Sequence, residues 1–128
     1  MPRILVIDDD DAVRESTERI LRGAGYMVES ASGGEAGFGL ARQGTFDVIL
    51  SDMRMPGMSG LELYEALVAA GHTIPTVIIT AHPEELTQSR ARAAGICCYL
   101  SKPFAPDELL ECVGEALARS RGGPIPRS

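Results

Sequence analysis

Asp8 and Asp9 come directly after the apolar run Ile4-Leu5-Val6-Ile7, and Asp52 comes after Val48-Ile49-Leu50. Thr80 follows the run Thr76-Val77-Ile78-Ile79, and Lys102 lies just past Cys97-Cys98-Tyr99-Leu100. If these apolar runs are neighbouring strands, three carboxylates from distant parts of the chain meet. Like charges at such range repel by several kcal/mol in a low-dielectric site. A hard divalent cation relieves that repulsion. Mg²⁺, or Mn²⁺ in its place, takes oxygen ligands and leaves positions open for water and phosphate. A carboxylate flanked by a cation, an ammonium group and a hydroxyl is a phosphoryl-transfer constellation, with Asp52 as nucleophile.

The elements that must position these residues are legible from periodicity. Five short apolar runs alternate with five helical patterns. The runs starting at Ile4, Val48 and Thr76 are apolar at nearly every position, as interior strands of a parallel sheet are. The run 27–31 carries Glu29 and Ser30, and the run 97–100 is short, which suits the two sheet edges. A strict β-α alternation implies a parallel sheet with helices on both faces. In the doubly wound order 2-1-3-4-5, ligands bind beyond the strand carboxyl ends, where strands one and three part company.

The helices carry their own punctuation. Val13, Thr17, Ile20, Leu21 and Ala24 form one stripe, ended by Gly25. Ser32-Gly33-Gly34-Glu35 and Ser59-Gly60-Leu61-Glu62 fit capping boxes for helices two and three. Leu63, Leu67 and Ala70 should face inward from helix three. Pro83 and Pro106 suit the first turns of helices four and five, and Leu109, Leu110, Val113 and Leu117 give helix five a clear stripe. Helix four, around 86–94, has the weakest stripe and is expected to pack least firmly.

The 128 residues suit one domain. The domain is expected over 1–119, with a linker-like tail over 120–128. Twelve basic against 18 acidic residues give a net charge of −6. That balance argues against nucleic-acid binding, which needs clustered Lys and Arg. No apolar run approaches the roughly 20 residues of a membrane span, and the N-terminus lacks a signal-peptide core. A cytoplasmic protein is expected, with Cys97, Cys98 and Cys112 as three reduced thiols.

Each chemical feature has a plainer explanation when taken alone. Asp8 to Asp11 fit helix N-capping and the helix dipole, and this is the expected role of Asp10 and Asp11. Asp52 alone fits a loop cap, Thr80 a strand-end hydroxyl bonded to backbone, and Lys102 a solvated charge. Their shared position past the carboxyl ends of four strands favours one site.

Ile7-Asp8-Asp9-Asp10, the segment 52–60 (Asp-Met-Arg-Met-Pro-Gly-Met-Ser-Gly), Ile79-Thr80-Ala81 and Ser101-Lys102-Pro103-Phe104 resemble the receiver domain of bacterial two-component response regulators. The resemblance covers residues 3 to about 119. It implies a flavodoxin-like (βα)₅ fold and a phosphoryl group accepted on Asp52 from a sensor histidine kinase or phosphotransfer protein. It further implies Mg²⁺ held by Asp9, Asp52 and the backbone carbonyl of Arg54, with Asp8 acting largely through water. Thr80 and Lys102 would contact the phosphoryl oxygens, Lys102-Pro103 would be cis, and Tyr99 would be the switch aromatic coupled to Thr80. Arg54 and His82 occupy positions that tune phosphorylation and hydrolysis rates in relatives. The output would be a changed surface on helix four, strand five and helix five, which could support a homodimer. Such a domain catalyses only its own phosphorylation and dephosphorylation. Two other functions fit parts of the pattern. One is a Mg²⁺-dependent phosphohydrolase with an Asp nucleophile, and the other a docking module independent of phosphorylation. The pair Cys97-Cys98 departs from the polar residues common in relatives; packing is the expected reason.

Overall fold

The computed structural model describes residues 2–82 and 84–120. Pro83, expected to open helix four, and the tail from 121 onward lie outside the described residues. The elements alternate strictly: β1 (Arg3–Ile7), α1 (Asp11–Gly23), β2 (Met27–Ala31), α2 (Gly34–Gln43), β3 (Val48–Asp52), α3 (Gly60–Ala69), β4 (Thr76–Thr80), α4 (Glu85–Ala94), β5 (Cys98–Ser101) and α5 (Pro106–Ser120). The five strands are parallel in the order β2-β1-β3-β4-β5. β1, β3 and β4 are buried nearly throughout, while β2 alternates exposed and half-buried residues up to a buried Ala31, as an edge strand does.

Side-chain alternation sorts the core onto the two sheet faces. Ile4, Val6, Val48, Leu50, Val77 and Leu100 pack with Leu21 of α1 and Leu109 and Val113 of α5. On the opposite face Leu5, Ile7 and Ile49 meet Ala41 of α2 and Leu63 and Leu67 of α3. Ile78 meets Tyr64 of α3 and Ala91 of α4 there. Ala91 is the sole buried residue of α4, and Leu86 is 68% exposed. The weak packing expected of this helix is present. Gly95, in a left-handed conformation at φ 111°, ends it.

Several local expectations differ from the structure. α2 has Gly33 as its N-cap with no side-chain cap bond. The helix therefore starts one residue late for a Ser32 box, and Glu35 falls at the second helical position rather than the third. Ser59 and Glu62 do form their capping box. Ala24 and Ala70 are exposed C-cap residues rather than members of the inner stripes. β3 and β4 run further than the apolar runs alone, so Asp52 and Thr80 are the last residues of their strands. The three cysteines are not all free thiols. Cys98 and Cys112 form a disulfide, because β5 lies against α5 with the two Cα atoms 6.0 Å apart; only Cys97 is free. Linear spacing of 14 residues gives no hint of that proximity.

One glycine joins fold to site. Gly60 opens α3 so close to the end of β3 that a Cβ there would lie 2.6 Å from the Asp52 carbonyl oxygen and 2.8 Å from Ile78. Backbone cannot yield as a flexible side chain can. Gly60→Ala should cost about 2 kcal/mol in chemical denaturation; a loss below about 0.5 kcal/mol would show that this approach is not tight.

Candidate functional site at the strand carboxyl ends

Adjacent β1 and β3 place their carboxyl ends side by side, with Ile7 opposite Ser51. Asp8 emerges one residue past β1, and Asp52 is the final residue of β3. One oxygen each of Asp8, Asp9 and Asp52 can be chosen within 4.8 Å of the others, so this trio could hold a metal ion. Asp8 and Asp52 are buried, at 2% and 7% exposure, while Asp9 faces solvent. Asp10 serves α1 as its N-cap, accepting from the backbone N–H groups of Ala12 and Val13. Asp11 pairs with Arg14 in the first turn. The plainer explanation therefore holds for Asp10 and Asp11 and stops there.

Lys102 reaches into the acidic hollow from the end of β5. Its Nζ lies 3.1 Å from Asp8 Oδ2 and 3.5 Å from Asp52 Oδ1. Asp8 also accepts from the backbone N–H of Asp10. Burial, and then the charge of Asp8, push the Asp52 carboxyl above its ordinary value, although Lys102 opposes this. For Lys102, burial favours the neutral amine but is outweighed by its bond to Asp8 and the charges of Asp8 and Asp52. Its pKa is raised as a result. The lysine thus stays cationic among acids. Lys102-Pro103 is a cis peptide.

Thr80 is buried at the end of β4, and its Oγ1 accepts from the backbone N–H of His82. Tyr99 points to the α3–α4 side of the sheet, against Tyr64, Ile78 and Ala91. Its buried hydroxyl has no hydrogen-bond partner among the described residues. Met53, Arg54, Met58, His82, Glu84 and Tyr99 line one cleft beside the acidic hollow. There Arg54 forms a 3.6 Å ion pair with Glu84 across the mouth. The structure therefore gathers Asp8, Asp9, Asp52 and Lys102 directly. Thr80 stands at the neighbouring strand end, and Tyr99, Arg54 and His82 sit along the adjoining cleft.

Residues 4–114 match the response regulator receiver domain family. The response regulator MprA of Mycolicibacterium vanbaalenii is 39% identical over 118 residues, covering 92% of this chain and 51% of that protein. The cell cycle transcriptional regulator CtrA of Caulobacter vibrioides is 32% identical, covering 94% of this chain and 52% of that protein. The solved structure of the Vibrio cholerae chemotaxis protein CheY4 superposes with a TM-score of 0.86 at 32% identity, covering 91% of this chain and 99% of that one. This chain belongs to the response-regulator receiver family.

Receiver domains are the phosphoryl-accepting modules of two-component signalling, and this chain is one of them. The receiver spans about half the length of the curated relatives it matches. Among its described residues, no helix is long and apolar enough to cross a membrane. Glu84 is a residue of this receiver's cleft that its sequence does not announce. Arg54 and Glu84 lie thirty positions apart on two loops, and no local pattern marks them as partners. The Arg54 guanidinium rests 3.6 Å from the Glu84 carboxylate.

Proposed function

We propose that Asp52 of this receiver accepts a phosphoryl group from a sensor histidine kinase or a histidine phosphotransfer protein in the cytoplasm. The observation carrying this reading is the convergence of Asp8, Asp9 and Asp52 with Lys102 inside it. The donor set is all oxygen and gathered at the carboxyl ends of β1 and β3, which fits Mg²⁺, or Mn²⁺ in its place. Asp9 and Asp52 would hold the ion with the backbone carbonyl of Arg54, and Asp8 would act largely through water. When bound, the ion supplies positive charge to the phosphoryl oxygens.

A carboxylate oxygen of Asp52 attacks phosphorus as the bond to the donor imidazole breaks, and the imidazole leaves with the electron pair. Lys102 lies within reach of Asp52 and offers its ammonium to the developing charge. Thr80 is one strand over and can exchange its bond from the His82 amide for one donated to a phosphoryl oxygen. Each charge-assisted bond contributes about 1.5–3 kcal/mol. Two of them are enough to move a conformational equilibrium several kcal/mol apart. The lightly packed α4, and Tyr99, whose hydroxyl has no partner among the described residues, support a response running through this side of the sheet. The responding surface is that of α4, β5 and α5, where a homodimer would form. No turnover of other substrates is part of this reading, and neither nucleic acid nor membrane is a partner of the domain itself.

Incubation with acetyl phosphate and Mg²⁺, followed by intact mass, tests the reading. One added phosphoryl, lost in mild base, is expected. No adduct from acetyl phosphate or from a range of histidine kinases would overturn it, whereas sustained release of phosphate from p-nitrophenyl phosphate would mark a hydrolase. Thr80→Ala should still take the adduct. Its phosphorylation-induced change in amide exchange along β5 should fall at least about tenfold, equivalent to one lost charge-assisted bond. An undiminished change would remove Thr80 from the switch.

A further inference from the structure

The Cys98–Cys112 bridge joins β5 to α5, and the segment it closes holds Tyr99, Ser101, Lys102 and the cis Pro103. The strand thus carries the site's lysine and its half-buried tyrosine inside one covalent ring. Alternation along β5 sets the two functions back to back. Cys98 and Leu100 face the α1–α5 side, with Cys112 and Val113, while Tyr99 faces the α3–α4 side. Tyr99 and the bridged Cys98 are neighbours in β5, so backbone motion at one reaches the other.

We propose that this disulfide is a reversible thiol switch that sets how far the receiver responds to phosphorylation. The inference rests on the phosphoacceptor reading above. Permanent structural disulfides are rare in a reducing cytoplasm, and those present there are usually transient redox devices. Glutathione-class thiols supply the electrons. A small thiolate attacks one sulfur of the bridge, forming a mixed disulfide and expelling the other sulfur as a thiolate, which takes up a proton. A second small thiolate then attacks the mixed disulfide, releasing the remaining protein thiol and one small disulfide. Two electrons enter the protein for two thiols formed. Cys98 is half-buried and Cys112 is buried, so Cys98 is the accessible point of attack. Burial pushes the neighbouring Cys97 thiol up, keeping it protonated at neutral pH and a poor competitor in the exchange. Closed, the bridge holds β5 on α5. Open, it frees the Tyr99–Lys102 strand to follow the phosphoryl group.

The full chain is equilibrated in reduced and in oxidised glutathione, quenched in acid, unfolded and alkylated with N-ethylmaleimide. Intact mass should show three additions in the reduced chain and one in the oxidised chain. Each form is then phosphorylated with acetyl phosphate and Mg²⁺, and the adduct's lifetime and the amide exchange of β5 are followed. The two forms should differ by about fivefold or more in at least one of these, the lower end of typical coupling between sites. Cys112→Ser and, as a more exposed alternative, Cys98→Ser should match the reduced form in either buffer. Three additions in oxidised glutathione would overturn the proposal, as would a formed bridge with identical lifetimes and exchange. Phosphorylation of both forms without a redox difference leaves the phosphoacceptor reading standing and removes only the switch. No adduct in either form removes both, while the alkylation count still reports the bridge.

Discussion

An Asp52→Asn chain gains no phosphoryl from acetyl phosphate and Mg²⁺, and in metal-free buffer it is more stable than its parent. The first effect is total because the amide offers no anionic oxygen to phosphorus, and neither neighbouring carboxylate takes its place. Asp8 accepts from the Asp10 amide and from Lys102, and Asp9 lies out in solvent. The second effect follows from electrostatics. Asp52 is buried beside Asp8, and both features raise its pKa above the ordinary value of 3.8. A carboxyl whose folded pKa is raised favours folding at low pH. That contribution is fully present below 3.8 and is lost as pH rises through the raised folded value. Asparagine has no such titration. The stability advantage of Asp52→Asn should therefore be absent at acid pH, grow through that window and level off near neutrality, in the usual range of about 0.5–2 kcal/mol for a relieved site. Urea melts at several pH values with a chelator present check this. A variant that is less stable at pH 7, or that still takes the phosphoryl group, would contradict the assignment.

Lys102→Ala has the opposite sign. It removes the one side-chain cation that, among the described residues, lies within 4 Å of both the Asp8 and Asp52 carboxylates. Both carboxylates are buried, and the lysine side chain is only 17% exposed, so solvent screens little of this interaction. Taking away one partner of such a group leaves uncompensated buried charge, a change that costs about 2–4 kcal/mol. The cost should appear in metal-free buffer and shrink when Mg²⁺ is added, because the ion takes over the neutralisation. Stabilisation by a ligand grows with its concentration above Kd, so the melting temperature of Lys102→Ala should rise more with Mg²⁺ than that of the parent. Equal melting temperatures for parent and variant without metal would show that the ammonium contributes nothing to this acid cluster. A cost that persists unchanged in Mg²⁺ would show that the cation binds elsewhere.

These two substitutions pull against each other within one pocket. Three acids at the carboxyl ends of β1 and β3 are kept there against their mutual repulsion, which is a recurring sign that a site is built for function rather than stability. The exposed mouth adds Arg54 and Glu84, whose ion pair lies in solvent at more than 60% exposure on both sides and contributes little to stability. Its consequence is positional, since it places the guanidinium by Glu84 at the mouth of the cleft.

The sequence by itself determined which segments become strands, that they run parallel, and the positions of Asp8, Asp9, Asp52, Thr80 and Lys102 at or just past their carboxyl ends. Those properties follow from burial on both faces of β1, β3 and β4 and from the strict alternation with helices, and such patterns are written locally along the chain. Capping was legible where the first turn is fixed by its own side chains, as at Ser59 and Glu62, and illegible where backbone alone starts the helix, as at Gly33. The tertiary structure decided which side chains from different elements touch. The pairing of Cys98 with Cys112, the Arg54–Glu84 contact and the approach of Gly60 to the Asp52 carbonyl all depend on the angle and depth at which helices and loops settle on the sheet. That settling is set by the summed packing of the core, so no short stretch of sequence contains it.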